Sequence, residues 1–332
     1  MSDAAIPDVE PLLFGYGFEA GELPRQLTWQ DVEDGSIARF QRVWLHLNRQ
    51  SKSGQAWLLS KSGLDWLTVQ ALLQEETRPR ATKHGQGFLI NLRGVNLNEG
   101  SEPEDMVALR MWASEHLLVT MRARVLQSAR DVDARVRAGD VPDSNGGLVA
   151  ALANALTDRM EPVITALDDE VDQYEDDLLD PKVKLSRSAL PEFRRRVLQM
   201  RRYLAPQRDA LATLVREGPQ AGMFTDQDAY YLRETMDRVT RMSELIETVR
   251  ERSTVLQEEL IQESTEETNQ RLFVLAILSA VFLPLSFVTG LFGVNLGGMP
   301  GSGSGSAFAL LVVGLSLSTL VTLAVLRWRR WI

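Results

Sequence analysis

A chain of 332 residues with 45 acidic and 36 basic side chains has a formal net charge of −9, enough length for more than one domain, and no cysteine. That composition excludes disulfides and thiolate zinc sites, fits a reducing compartment, and gives no expectation of a nucleic-acid partner. Only His46, His84 and His116 remain as imidazoles, and they lie singly across a stretch that reads as sheet and loop, so a closed Cys/His zinc site is not expected.

Residues 1–145 read as a cytoplasmic α/β domain. The β-rich segments Val43–Leu47, Phe88–Val95, Met106–Trp112 and Leu117–Met121 alternate with helical patterns at Gln55–Lys61 and Asp65–Gln74, and Ser114-Glu115 turns a hairpin. The region has no Gly-rich phosphate loop between a strand and a helix, no nucleophile elbow and no HExxH cluster, and therefore no enzyme signature; no cofactor is expected.

Residues 146–224 become helical, with one helix to Leu179 and a second from Leu190 to Glu217, joined near Pro181 as an antiparallel pair. The first ends in a base-free acidic run that includes Asp168, Asp169, Asp172 and Asp176, and the second answers with Arg194, Arg195, Arg196, Arg201 and Arg202. Two readings stand side by side: a salt-bridged helical face, or a cytoplasmic reservoir in which clustered carboxylates bind divalent cations.

Thr225 and Asp228 are spaced as a capping box, and from Asp226 through Leu283 there is neither Gly nor Pro. A single helix of that length spans roughly 87 Å, far more than the roughly 30 Å a bilayer core needs. Residues 225–271 are therefore a stalk. Its seam of Leu232, Val239, Met242, Ile246, Val249, Leu256 and Leu260, interrupted by Thr235 and Ser253, packs against another helix, either of the same chain or of a sister subunit. Close to the membrane, Glu259, Glu263, Glu266 and Glu267 lie in a stretch without a base up to Gln270, and they read either as a solvated face or as acidic rings that concentrate cations.

Residues 272–292 and 307–326 carry no charge and are each long enough to cross a bilayer. The closing Arg327-Trp328-Arg329-Arg330-Trp331 (residues 327–332 form a basic tail) places the C-terminus inside, which puts the large N-terminal region inside too and the uncharged connector 293–306 outside. The start MSDAAIPDVEPLL carries no signal-peptide pattern, in keeping with that orientation. Along the first span, Asn269, Leu272, Ala276, Ser279, Leu283, Ser286, Gly290 and Gly293 recur at 3,4 spacing as a stripe of small or polar residues punctuated by Leu. Two helices alone cannot shield an ion from hydrocarbon, so a pore requires several copies; the stripe equally suits close helix packing. Pro284 leaves the carbonyl of Ala280 without its helical donor.

The motifs Tyr203-Leu204-Ala205-Pro206-Gln207-Arg208-Asp209, Phe282-Leu283-Pro284-Leu285-Ser286-Phe287 and Thr289-Gly290-Leu291-Phe292-Gly293-Val294-Asn295, with the basic-Trp tail, resemble the CorA superfamily of metal-ion transporters over nearly the whole chain. Gly293 to Pro300, Trp44-Leu45-His46-Leu47-Asn48 and Thr77-Arg78-Pro79-Arg80 look closest to its ZntB zinc-transporter branch, whereas magnesium-type relatives carry GMN where this chain has Gly293-Val294-Asn295.

The resemblance implies an α/β cytoplasmic domain, a long helical stalk and two C-terminal transmembrane helices assembled as a CorA-like funnel, a homopentamer embedded in membrane lipid. It implies that Asn269, Leu272, Ala276, Ser279, Leu283, Ser286 and Gly290 line the pore, with Gly293, Val294 and Asn295 as the outer selectivity motif. Asn295 would hold a hydrated cation there, while Leu272 and Leu283 would gate by dewetting. The implied activity is proton-coupled Zn²⁺ uptake across a bacterial inner membrane. A magnesium or broad-range divalent channel, zinc efflux, and a membrane-anchored sensor without flux stand as alternatives.

Overall fold

The computed structural model describes residues 8–180, 182–183, 186, 188–293, 300–301 and 303–329. The chain forms two compact units, Met1–Gln257 and Glu258–Ile332.

In the first unit, β1 (Leu12–Phe18), β2 (Arg25–Gln26), α1 (Trp29–Glu33), β3 (Arg42–Asn48), α2 (Lys52–Ser60), α3 (Trp66–Leu73), β4 (Arg80–His84), β5 (Gly87–Gly94), β6 (Val107–Ala113), β7 (Leu117–Arg122) and α4 (Gln127–Arg137) precede two long helices, α5 (Asn145–Leu179) and α6 (Ala189–Glu217). The seven strands make one sheet in the order β2-β1-β3-β7-β6-β5-β4, with β3 and β7 parallel and every other pair antiparallel. The central strands are apolar on both faces because both faces are covered. Leu45, Leu47, Val119, Met121 and Trp112 pack with Trp57 and Leu58 of α2 and Val69 and Leu72 of α3. On the opposite face, Gly94 approaches so closely that an added Cβ would meet Leu156 of α5 at 2.5 Å.

Helix starts are set by short polar side chains, as orphan N–H groups require. Ser51, Asp65 and Ser144 accept from the backbones of Gly54, Thr68 and Gly147 at the starts of α2, α3 and α5. The last two helices are α7 (Asp226–Phe292), which continues past Leu283 and Pro284, and α8 (Ala307–Trp328). The α7 capping box forms: Thr225 N–H donates to Asp228 at 2.9 Å and Asp228 N–H donates to Thr225 Oγ1 at 3.1 Å. Ser144 Oγ also donates to Asp228 at 2.6 Å, so one carboxylate ties together the starts of α5 and α7.

Within this first unit the α7 seam is an intrachain core. Leu232, Thr235, Val239, Met242, Ile246, Val249, Ser253 and Leu256 are all buried, and Leu260, beyond the unit, is only half-buried. Ion pairs reinforce the packing: Arg196 of α6 with Glu170 of α5, Arg201 of α6 with Glu247 of α7, and Arg252 of α7 with three carboxylates of α5. The acidic end of α5 is thus answered mainly from α7, with Arg196 as the contribution of α6. Arg252 reaches into the carboxylates where the arginines of α6 were expected.

In the second unit, the part of α7 from Glu258 onward and α8 are helices long and apolar enough to cross a membrane, and almost none of their residues is buried by the chain itself.

Candidate functional site

The uncovered apolar surface of the second unit is far larger than a soluble chain tolerates: Leu272, Leu275, Phe282, Leu283, Phe287, Phe308, Leu310 and Leu320 are each more than half exposed. Lipid or further copies of the chain must cover it.

The partly covered residues show which side of α7 is already occupied. Ile277, Val281, Leu285 and Val288 are half-buried, as are Leu311, Leu315, Thr319 and Thr322 of α8, where Leu326 is fully buried. Leu285 and Val288 share one apolar groove with Leu311 and Leu315, which identifies the face that α7 turns to α8. At about 100° per residue, Leu272, Ala276, Ser279, Leu283, Ser286 and Gly290 fall within roughly 40° of one line, about 180° from that face. All six are exposed within the single chain, Leu272 at 56% and Leu283 at 69%.

The hydroxyls of the second unit differ in how they are bonded. The hydroxyls of Thr289, Ser316, Thr319 and Thr322 are satisfied by the helix itself, each donating to the carbonyl four residues earlier at 2.9 Å. Among the described residues, no hydrogen bond involves the hydroxyl of Ser279 or Ser286. Gly290 has open space where a Cβ would sit. Gly293 closes the helix, its N–H donating to Thr289 O at 2.9 Å. Val294 and Asn295 lie outside the described residues.

The same helical arithmetic sorts the polar residues before the span. Asn269 lies about 60° from Leu272 around the axis and Glu258 about 40°, whereas Glu259, Glu263 and Glu266 turn about 120° to 180° away. Glu259, Glu263 and Glu266 are exposed, and Glu267 pairs with Arg271 at 3.2 Å.

In the first unit, the acidic run of α5 divides. Arg252 takes Asp168 at 3.2 Å, Glu175 at 2.6 Å, and Asp172. Its hydrogen bonds hold the Glu175 carboxyl below the usual carboxylate range and raise the guanidinium of Arg252 in turn. Asp169 and Asp176 are exposed. Among the described residues, no group of three or more His or acidic side chains of a single chain is arranged to hold a metal.

The histidines occupy packing and surface positions. His46 is buried, stacked on Phe14 at 4.5 Å, with Nδ1 2.8 Å from Thr120 Oγ1; burial, aided by Arg122, pushes it down to about 3. His84 faces Asp65 at 3.1 Å, and His116 contacts the Gln41 carbonyl at 3.2 Å. Arg49, Arg93 and Arg110, which carry no motif in sequence, gather beside α6, Arg110 buried and the other two half-buried.

Known proteins share this organisation. The chain is 36% identical over 326 residues to the divalent cation transporter CmaX of Pseudomonas aeruginosa, covering 97% of this chain and 98% of that protein. It is 34% identical over 318 residues to the zinc transport protein ZntB of Cronobacter sakazakii, covering 95% and 94%. The structure of the full-length CmaX protein superposes with a TM-score of 0.81 at 37% identity, covering 97% of this chain and 99% of that one. The model of the family described as CorA-like Mg²⁺ transporter protein matches residues 41–329, a span that includes both helices long and apolar enough to cross a membrane, and the chain belongs to that family of transporters.

Proposed function

We propose that this protein carries divalent cations, with zinc preferred, into the cell, and that copies of α7 line the path in a homopentamer. The observation that carries the reading is the position of Ala276, Ser279, Ser286 and Gly290, on the side of α7 opposite α8 and without cover in one chain. Hydrocarbon is a poor environment for a serine hydroxyl, while a water-filled centre is a good one.

In this arrangement small residues let water and a hydrated ion pass, and Leu272 and Leu283 form apolar constrictions that close by dewetting. A stripe without fixed charge suits an ion that keeps its water, since a dehydrated Zn²⁺ would need His, Cys or carboxylate ligands. We assign Gly293, Val294 and Asn295 as the outer selectivity motif on the strength of the family resemblance, with Asn295 as the residue that holds a hydrated cation. Glu258, Glu259, Glu263, Glu266 and Glu267 create a negative field at the inner end, and this field acts whether or not each carboxylate faces the lumen. Asp169 and Asp176, which Arg252 does not engage, are exposed carboxylates of α5 open to cytoplasmic cations.

Zinc as the preferred ion is supported by the ZntB relatives, and inward direction by energetics. An interior-negative potential contributes about 2.3 kcal/mol per unit charge per 100 mV, twice that for a divalent ion. The tail Arg327 to Trp331 orients both termini inward. A broader divalent selectivity is favoured by the CmaX relative, whose name specifies no single metal. Purified protein in liposomes loaded with a zinc-sensitive dye tests both readings. Zinc entry that outpaces Mg²⁺ and rises with an outside-acid gradient supports zinc uptake with proton coupling. Equal competition by Mg²⁺ favours the broad-range channel, and outward-only movement favours efflux. An absence of flux favours a sensor.

A further inference from the structure

The arginine cluster begins with a residue that its strand does not accommodate for free. Arg110 stands in the apolar strand Val107–Ala113, where alternation puts it on the face covered by α2 and α3, and it is 3% exposed. Its Nη2 donates to the carbonyls of Gln74 and Glu75, both at 2.9 Å. Arg93 donates to the carbonyls of Met106 at 2.6 Å and Thr77 at 2.7 Å, and Arg49 to the carbonyl of Leu73 at 3.0 Å. Every one of these acceptors is neutral.

One buried and two half-buried guanidiniums therefore stand together with no carboxylate paired to any of them. Among the described residues, no carboxylate lies within 4.0 Å of Arg49, Arg93 or Arg110, and the Nε of each is buried with no hydrogen-bond partner. The three line one cavity of about 420 Å³, with Arg124 and Arg202 at its exposed rim. Five arginines face three acids there, and the most buried acid, Glu104, is turned to Arg196 at 3.7 Å. Burial together with repulsion from Arg49 and Arg93 pushes Arg110 down to about 10. Tyr203 lies under the guanidinium of Arg93 at 4.6 Å and completes the wall with an aromatic face.

Buried charges are retained when something pairs with them, and forked guanidiniums match the oxygens of a phosphoryl group. We propose that this cavity is a binding site for an organic phosphate of nucleotide size, its phosphoryl oxygens held by Arg49, Arg93 and Arg110. The cavity exceeds what a bare phosphate fills and lies within the range of small-molecule sites. The site belongs to the first unit and does not depend on which ion crosses the membrane.

Full-length protein in detergent, kept free of divalent metal by EDTA, is titrated calorimetrically with ADP, inorganic phosphate and chloride at matched ionic strength. The expected result is saturable ADP binding, one per chain, tighter than phosphate, with no saturation by chloride. Arg49→Gln and Arg93→Gln each weaken ADP binding roughly ten- to hundredfold, the range for losing a hydrogen bond to a charged group. The exposed Arg124→Gln weakens it less. Arg49 is only half-buried, so its variant keeps the test decisive if a change at Arg110 prevents folding. Absence of saturable binding, phosphate binding as tightly as ADP, or ADP affinity unchanged in Arg49→Gln overturns the proposal.

Discussion

Leu285 and Ser286 are neighbours in sequence and point to different surroundings: Leu285 is half-buried in the groove that α7 shares with α8, while Ser286 is exposed. A helix turns about 100° per residue, so covering one of them uncovers the other. The α8 contact thereby fixes which edge of α7 stays uncovered within one chain, the edge we propose to line the path.

If Leu283 closes the path by repelling water, a hydroxyl in its place holds water there. Leu283→Ser is expected to raise resting zinc entry into liposomes severalfold without changing the oligomer seen by size exclusion. Unchanged resting entry would remove Leu283 from the gate.

In the proposed mechanism the acidic residues before the span act through their field. Replacing Glu258, Glu259, Glu263 and Glu266 together by Gln is expected to slow zinc exchange severalfold when zinc is presented on the side of the soluble domain. The difference should shrink as salt rises from about 0.01 M to about 0.15 M, because the Debye length falls from about 30 Å to about 8 Å. A deficit indifferent to salt would point to direct coordination.

Arg252 answers three carboxylates of α5, and removing it leaves them facing one another. Arg252→Met is expected to destabilise the protein by about 1–3 kcal/mol, tempered by the partial exposure of the carboxylates. Because Asp168, Asp172 and Glu175 are then free to share a cation, millimolar Mg²⁺ should restore part of the lost thermal midpoint. Restoration equal to that of the parent protein would contradict this role.

His46 gives the fold a pH dependence. Its folded value, about 3, lies below the ordinary 6.5, so the unfolded chain takes up a proton that the folded chain refuses. The stability contributed is fully present above about pH 6.5 and falls by at most about 1.4 kcal/mol per unit as pH drops toward 3. Thermal unfolding between pH 6.5 and 5 should show this loss in the parent protein and a shallower one in His46→Gln.

Much of the fold is legible in the sequence because its central strands are continuous apolar runs and its last two helices are long and uncharged. What escaped detection follows a different physics. The segment Leu12–Phe18 is broken by Gly15 and Gly17, and Gly17 is there because an added Cβ would lie 2.4 Å from the Phe40 ring. The segment Arg80–His84 is an edge strand whose polar side chains carry no apolar alternation, and α4 is so highly charged that its buried Val132 and Val136 are easily overlooked. The stripe on α7 is legible from spacing alone, whereas its relation to α8 depends on which side of α7 the returning helix packs against. Arg110 carried a signal in sequence, a charge centred in an apolar strand, whose meaning depends on Arg49 and Arg93 arriving from elsewhere in the chain.

The most direct measurement uses the absence of native cysteine. Single substitutions Ser279→Cys, Ser286→Cys and Leu285→Cys are made in the full chain, reconstituted, and exposed to a membrane-impermeant thiol reagent with zinc flux recorded. Cys at 279 and 286 is expected to react and block flux, while Cys at 285, facing α8, stays unreactive. Reaction at 285 with protection at 279 and 286 would mean that ions do not pass along this edge of α7.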